Sequence, residues 1–141
     1  MNPVVHKTLV AQLQAGETDR FPVLAHLTYD ASDPLAVTAV FSHDGRVLAE
    51  WRLDRAMLHE GLRRPVGEGD VRLRPVSCGV WEEVCMELYG STHADGGRQH
   101  ALVFWWAPAL AGFLRRTHDI VRPGREKVQV DDFLADLLAG S

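Results

Sequence analysis

Residues 51–75 read Trp51-Arg-Leu-Asp-Arg-Ala-Met-Leu-His-Glu-Gly-Leu-Arg-Arg-Pro-Val-Gly-Glu-Gly-Asp-Val-Arg-Leu-Arg-Pro75. Val47, Ala49, Trp51 and Leu53 alternate, so the stretch opens as the end of a strand. Asp54 is placed to cap a helix at Arg55 to Arg63, its carboxylate accepting an otherwise unpaired backbone N–H. Leu58 and Leu62 lie four apart on one face of that helix, with Arg55 and His59 stacked nearby. At about two turns the helix depends on packing rather than propensity. Pro65 ends it, and Gly67-Glu-Gly69 supplies the backbone for a tight return. Val71 and Leu73 then alternate with Arg72 and Arg74, giving a strand with one basic face.

Working outward, the same period of two marks the neighbouring strands. Val4 to Leu13 is a first strand. In the next, Phe21, Val23, Ala25, Leu27 and Tyr29 share a face, and Asp30 to Pro34 breaks it. Leu35, Val37, Ala39 and Phe41 alternate on a third, which Asp44-Gly45 joins to the strand entering Trp51 through a type I′ turn. Beyond Pro75, Val80 to Tyr89 and Gln99 to Trp106 form two more strands, joined by a loop from Gly90 to Arg98. The latter is apolar on both faces, as a central or covered strand is. Pro108 suits the first turn of a helix whose stripe is Leu110, Phe113, Leu114 and Thr117. Pro123-Gly124 is a turn, and a last helix runs from about Asp131 to Leu138. Seven strands, one short inserted helix and two C-terminal helices make a single α+β domain over 1–141 with a largely antiparallel sheet.

The 141 residues suit one domain, and the net charge of −4 with only Lys7 and Lys127 as lysines argues against a coat for nucleic acid. The longest apolar run, Ala101 to Leu114, is interrupted by Pro108 and falls short of the about 20 residues of a membrane span. The start, Met-Asn-Pro-Val-Val-His-Lys, lacks the pattern of a signal peptide, so the expected location is cytoplasmic. Cys78 and Cys85 match no zinc or redox spacing and read as reduced, structural thiols. They would face opposite ways if both lay on one strand.

No catalytic constellation emerges. Ser42-His43-Asp44 spells three triad residue types in immediate succession, where neighbouring side chains cannot hydrogen-bond in the needed order. A hairpin tip accounts for it. Gly67-Glu-Gly69 is too short for a dinucleotide fingerprint and precedes a strand. The seven histidines contain no H-x-x-x-H pair, so no metal is expected. Residues 52–74 hold six of the fifteen basic residues, interleaved with Asp54, Glu60, Glu68 and Asp70. That mixture suits ion pairs within the chain or a protein-facing surface, with an anion or nucleic-acid site the lesser reading. Trp105-Trp106 reads as core packing or, next, as a subunit interface, where aromatics are enriched.

Several segments carry a family resemblance. They are Leu27-Thr-Tyr-Asp30 with Asp33-Pro34, Glu50-Trp51, Leu58-His-Glu-Gly-Leu62, Arg64-Pro65, Gly69-Asp-Val-Arg72 and Pro75. Further on come Ala107-Pro-Ala109, Phe113-Leu-Arg-Arg-Thr117 and Val121-Arg-Pro-Gly-Arg-Glu126. In these the chain resembles the SsgA-like proteins of sporulating and other morphologically complex actinobacteria, closest to the SsgB type. The first strand, residues 76–100 and Phe104-Trp-Trp106 fit the pattern less well.

The resemblance implies a non-enzymatic regulator of sporulation-specific cell division, located at the septum and free of cofactors. Such proteins help place and promote the tubulin-like division protein FtsZ, with an SsgA-type partner. It also implies a bell-shaped, whirly-like homotrimer. Single-stranded nucleic-acid binding of the whirly kind is the alternative, but a shared fold carries no function by itself and a lysine-rich surface strand is missing. Gly124, expected to need positive φ, and Arg115, Arg116, Arg52, Arg55, Arg72 and Arg74 are the expected contacts for a protein partner. Trp105 and Trp106 are the expected contacts for a sister subunit.

Overall fold

Asp44 and Gly45 both take positive φ, 50° and 78°, as the two central residues of a type I′ turn require. They close the hairpin between β3 (Ala36–His43) and β4 (Arg46–Asp54). The computed structural model describes residues 2–17, 19–92 and 98–126. Before the hairpin come β1 (Val4–Ala15) and β2 (Phe21–Asp30). After it follow α1 (Arg55–Gly61), β5 (Val66–Glu68), β6 (Val71–Cys78), β7 (Trp81–Thr92), β8 (Arg98–Trp106) and α2 (Ala107–Ile120).

The strands form one antiparallel sheet in the order β4-β3-β2-β1-β8-β7-β6-β5. Two four-stranded meanders thus meet where β1 pairs with β8, from Ala11 opposite Trp105 to Ala15 opposite Ala101. The doubly apolar β8 is central, as its pattern demands. The α+β class holds, but among the described residues the sheet has eight strands rather than seven. The added one, β5, is three residues long and pairs with β6 across the Gly69-Asp70 turn, too short to show a period. The two cysteines fall on different strands, β6 and β7, so the condition of a shared strand is not met. The expected helix over 131–138 lies outside the described residues.

A short connection dictates the curl of the sheet. Laid flat, eight strands would separate the edge strands β4 and β5 by about 34 Å at ~4.8 Å per step. The link between them is a seven-residue α1 and residues 62–65, spanning at most about 24 Å. The edges must therefore bend toward each other, and α1 packs against β4, β5 and β6. Asp54 caps this helix as expected, its carboxylate accepting the Met57 N–H at 2.9 Å. Removing the cap as Asp54→Ala is expected to lower stability by about 1 kcal/mol in urea unfolding. Gly61, at the end of α1, approaches β6 so closely that a Cβ there would sit 2.7 Å from the Leu73 Cβ.

The inner face of the curled sheet is the core. Val5, Leu9, Val23, Leu27, Tyr29, Val37, Phe41, Leu53, Leu73, Met86, Val103 and Trp105 pack there against Leu58 of α1. The predicted stripe of α2, Leu110, Phe113, Leu114 and Thr117, closes it from the same side. On the outer face of the first meander His26 bridges Thr8 at 3.0 Å and Ser42 at 3.1 Å. Ser42 is thus tied to His26 rather than to its neighbour His43, and the Ser-His-Asp succession is a strand end running into a turn.

Candidate functional site

The six arginines of the opening stretch do not form one basic face. Arg52 belongs to β4 in the first meander, whereas Arg72 and Arg74 belong to β6 in the second. Arg52 pairs bidentately with Asp33, its Nη2 donating to Oδ1 at 2.7 Å. Arg63 and Arg64 both reach back along the helix to Glu60, at 3.0 and 2.8 Å. Their combined charge holds the Glu60 carboxyl below its usual range, chiefly through Arg64. Arg72 lies over the Tyr89 ring at 5.8 Å, and Arg74 pairs with Glu87 at 3.9 Å. Only these last two share an exposed face.

Arg55 corrects the expectation most sharply. It is 1 % exposed and cannot meet a partner. Its Nη1 donates to the carbonyls of Thr117 at 3.1 Å and Val121 at 2.8 Å, beyond the last turn of α2. Its Nη2 donates to Glu126 at 2.6 Å. The guanidinium also sits 4.8 Å from the Tyr29 ring centroid. A first-turn residue of α1 therefore supplies a donor to the Val121 carbonyl just past α2 and a second donor to the Thr117 carbonyl, which also accepts the Val121 N–H. The Arg55 hydrogen bond is the main reason the Glu126 carboxyl titrates below its usual range. Beside this clamp, His59 and His118 meet edge to face at 5.0 Å. Burial first, then Arg55 and His59, push the His118 imidazole below its ordinary value.

Gly124 adopts φ +84°, as expected, and stands exposed with nothing within 4 Å of where a Cβ would lie. Its N–H donates to the second Glu126 oxygen at 2.8 Å. One carboxylate thus holds the buried arginine with one oxygen and the turn backbone with the other. Arg115 and Arg116 are exposed on α2 and make no ion pair among the described residues. The exposed Gly124 turn follows the C-terminal end of the same helix. Gly124, Arg115 and Arg116, the expected contacts, are all exposed, and sequence reasoning missed Glu126 as the residue that joins Arg55 to the Gly124 turn. The signal available was its position two residues after a glycine turn, which identifies no partner.

Trp105 is also corrected. It is 1 % exposed and packs on Phe41 with ring centroids 5.8 Å apart, so it belongs to the core of its own chain. Trp106, on the opposite face, is 49 % exposed and remains available as a contact. Cys85 is buried, and desolvation raises its thiol above the ordinary value, away from a reactive thiolate. Among the described residues no cluster of three or more His, Cys, Asp or Glu side chains could hold a metal, and no helix is long and apolar enough to cross a membrane.

Fold and surface together define a small curled-sheet α+β protein whose polar groups are committed mainly to ion pairs and caps. The chain belongs to the SsgA family: the family model described as Streptomyces sporulation and cell division protein, SsgA, matches residues 23–126. It is similar to the sporulation-specific cell division protein SsgB of Streptomyces coelicolor, 38 % identical over the whole of both chains. The SsgB of Saccharopolyspora erythraea is 39 % identical over 95 % of this chain and 92 % of that one. Among solved structures, an SsgB reported with mutations that correlate to longitudinal cell division during sporulation of Streptomyces coelicolor superposes with a TM-score of 0.76. It shares 38 % identity and covers 89 % of this chain and 94 % of its own. An SsgA-like sporulation-specific cell division protein from Thermobifida fusca gives a TM-score of 0.79 at 30 % identity, covering 96 % of both.

Proposed function

We propose that this chain is a non-enzymatic regulator of sporulation-specific cell division. It acts as an oligomeric scaffold, a homotrimer, that recruits or promotes assembly of the tubulin-like protein FtsZ at septum sites, alongside an SsgA-type partner. The carrying observation is end-to-end similarity to a protein named sporulation-specific cell division protein SsgB, at 38 % identity. The exposed side chains of Arg115 and Arg116 and the exposed Gly124 turn are suited to a protein contact. Co-sedimentation with FtsZ polymers tests the reading. Enrichment in the pellet or altered filament assembly is expected, and neither effect would overturn it. Solution mass tests the trimer.

Within this reading Gly124→Val is expected to weaken FtsZ binding while the chain stays folded. A β-branched side chain at φ +84° costs about 1–2 kcal/mol of local strain, placed beside the Glu126 clamp. Unchanged binding to FtsZ would remove Gly124 from the contact surface. Nucleic-acid binding draws less support, because Arg52, Arg63 and Arg64 are already spent on carboxylates and Arg55 is buried.

A further inference from the structure

The outer face of the sheet carries an aromatic groove at the start of β7 and the end of β8. Trp81 and Glu83, two apart on β7, point outward, and Trp106 stands opposite Glu83 on β8. Phe104 forms the floor, and Val10 of β1 completes the far wall of a recess of about 250 Å³. Trp81 is 60 % exposed, Trp106 49 % and Val10 63 %. Three apolar side chains left this open on one face are unusual unless something covers them.

Arg20 indicates what chemistry the groove accepts. Its guanidinium lies 3.4 Å from the Phe104 ring centroid and donates through Nη1 to Glu83 at 3.1 Å. The recess thus already holds one cation between an aromatic face and a carboxylate. Nη1 contacts both Glu83 oxygens, the second at 3.4 Å, and a carboxylate has about four acceptor positions. Trp81 and Trp106 line the same recess as this carboxylate.

From this we propose that the groove is a docking site for a protein segment presenting an arginine between apolar residues. The incoming guanidinium lies between Trp81 and Trp106, shares or takes Glu83 from Arg20, and the flanking apolar side chains cover Val10. The recess sits at the N-terminal end of α2, about one helix length (~20 Å) from the Gly124 turn. It is independent of FtsZ and can be tested without it.

The test uses the full chain and a capped Leu-Arg-Leu peptide, compared with its citrulline counterpart, which keeps shape and loses charge. Indole N–H resonances report the site, with buried Trp105 as an internal reference. The arginine peptide should shift Trp81 and Trp106 but not Trp105, and the citrulline peptide should bind at least about tenfold more weakly. Glu83→Gln and Trp81→Ala should each weaken arginine binding by a similar factor with unchanged melting, and Arg20→Ala should strengthen it. Equal binding of the two peptides, no shifts at millimolar peptide, or shifts that follow protein concentration alone would each overturn the proposal. The last result would mean that a second copy of this chain covers the groove.

Discussion

Arg55→Met is expected to destabilise the protein by about 3–5 kcal/mol, the loss typical when one partner of a buried ion pair is removed. The methionine fills most of the space but removes the guanidinium donor from the Val121 carbonyl and from Glu126, and leaves the Thr117 carbonyl only its bond from the Val121 N–H. The midpoint of urea unfolding should fall accordingly, and a loss under 1 kcal/mol would mean that the clamp is not structural.

Acid provides a second readout with a defined sign. The Glu126 carboxyl is held below its ordinary 4.5 in the folded state, mainly by Arg55. Its stabilising contribution is therefore complete above that pH and is lost as pH falls through the folded value. His118 adds a separate limb of the same sign. Its folded value lies below the ordinary 6.5, so the unfolded chain protonates first as pH drops through that region. In Arg55→Met the Glu126 limb should flatten, and His118 should titrate closer to its ordinary value by NMR.

The second large effect separates the two adjacent tryptophans. Trp105→Ala is expected to cost about 3–5 kcal/mol, as large-to-small changes of buried aromatics do. Trp106→Ala should cost under about 1 kcal/mol, since half of that side chain is already in water. Trp105→Phe should recover most of the loss. The Trp105 Nε1–H is buried with no hydrogen-bond partner among the described residues, and removing an unsatisfied donor offsets part of the lost volume. Urea midpoints of the three variants check this, and equal losses for Trp105→Ala and Trp106→Ala would place both residues outside the core.

These residues also mark how far the chain could be read without its fold. Alternation placed Leu27, Val37, Leu53 and Leu73 inside, because a strand's side chains change face at every residue and only one face meets the core. Asp44-Gly45 and Asp54 announced their turn and cap because the conformations they adopt are local. The α2 stripe was equally legible. What local pattern could not reach was β5, which is shorter than one readable period.

The stretch from Trp51 to Pro75 shows the same boundary in its arginines. Sequence by itself determined that a strand, a capped helix, a glycine turn and another strand follow one another there, since each step depends on residues within a few positions. It also carried the family, through segments in order along the chain. Only the tertiary structure decided what each arginine does. Arg52, Arg63 and Arg64 meet carboxylates, Arg72 and Arg74 stay on an open face, and Arg55 is drawn 71 residues along the chain to Glu126. The reason is physical: a guanidinium's role depends on which oxygens and how much water surround it, and contacts of that separation arise only when the curled sheet brings α1 against α2.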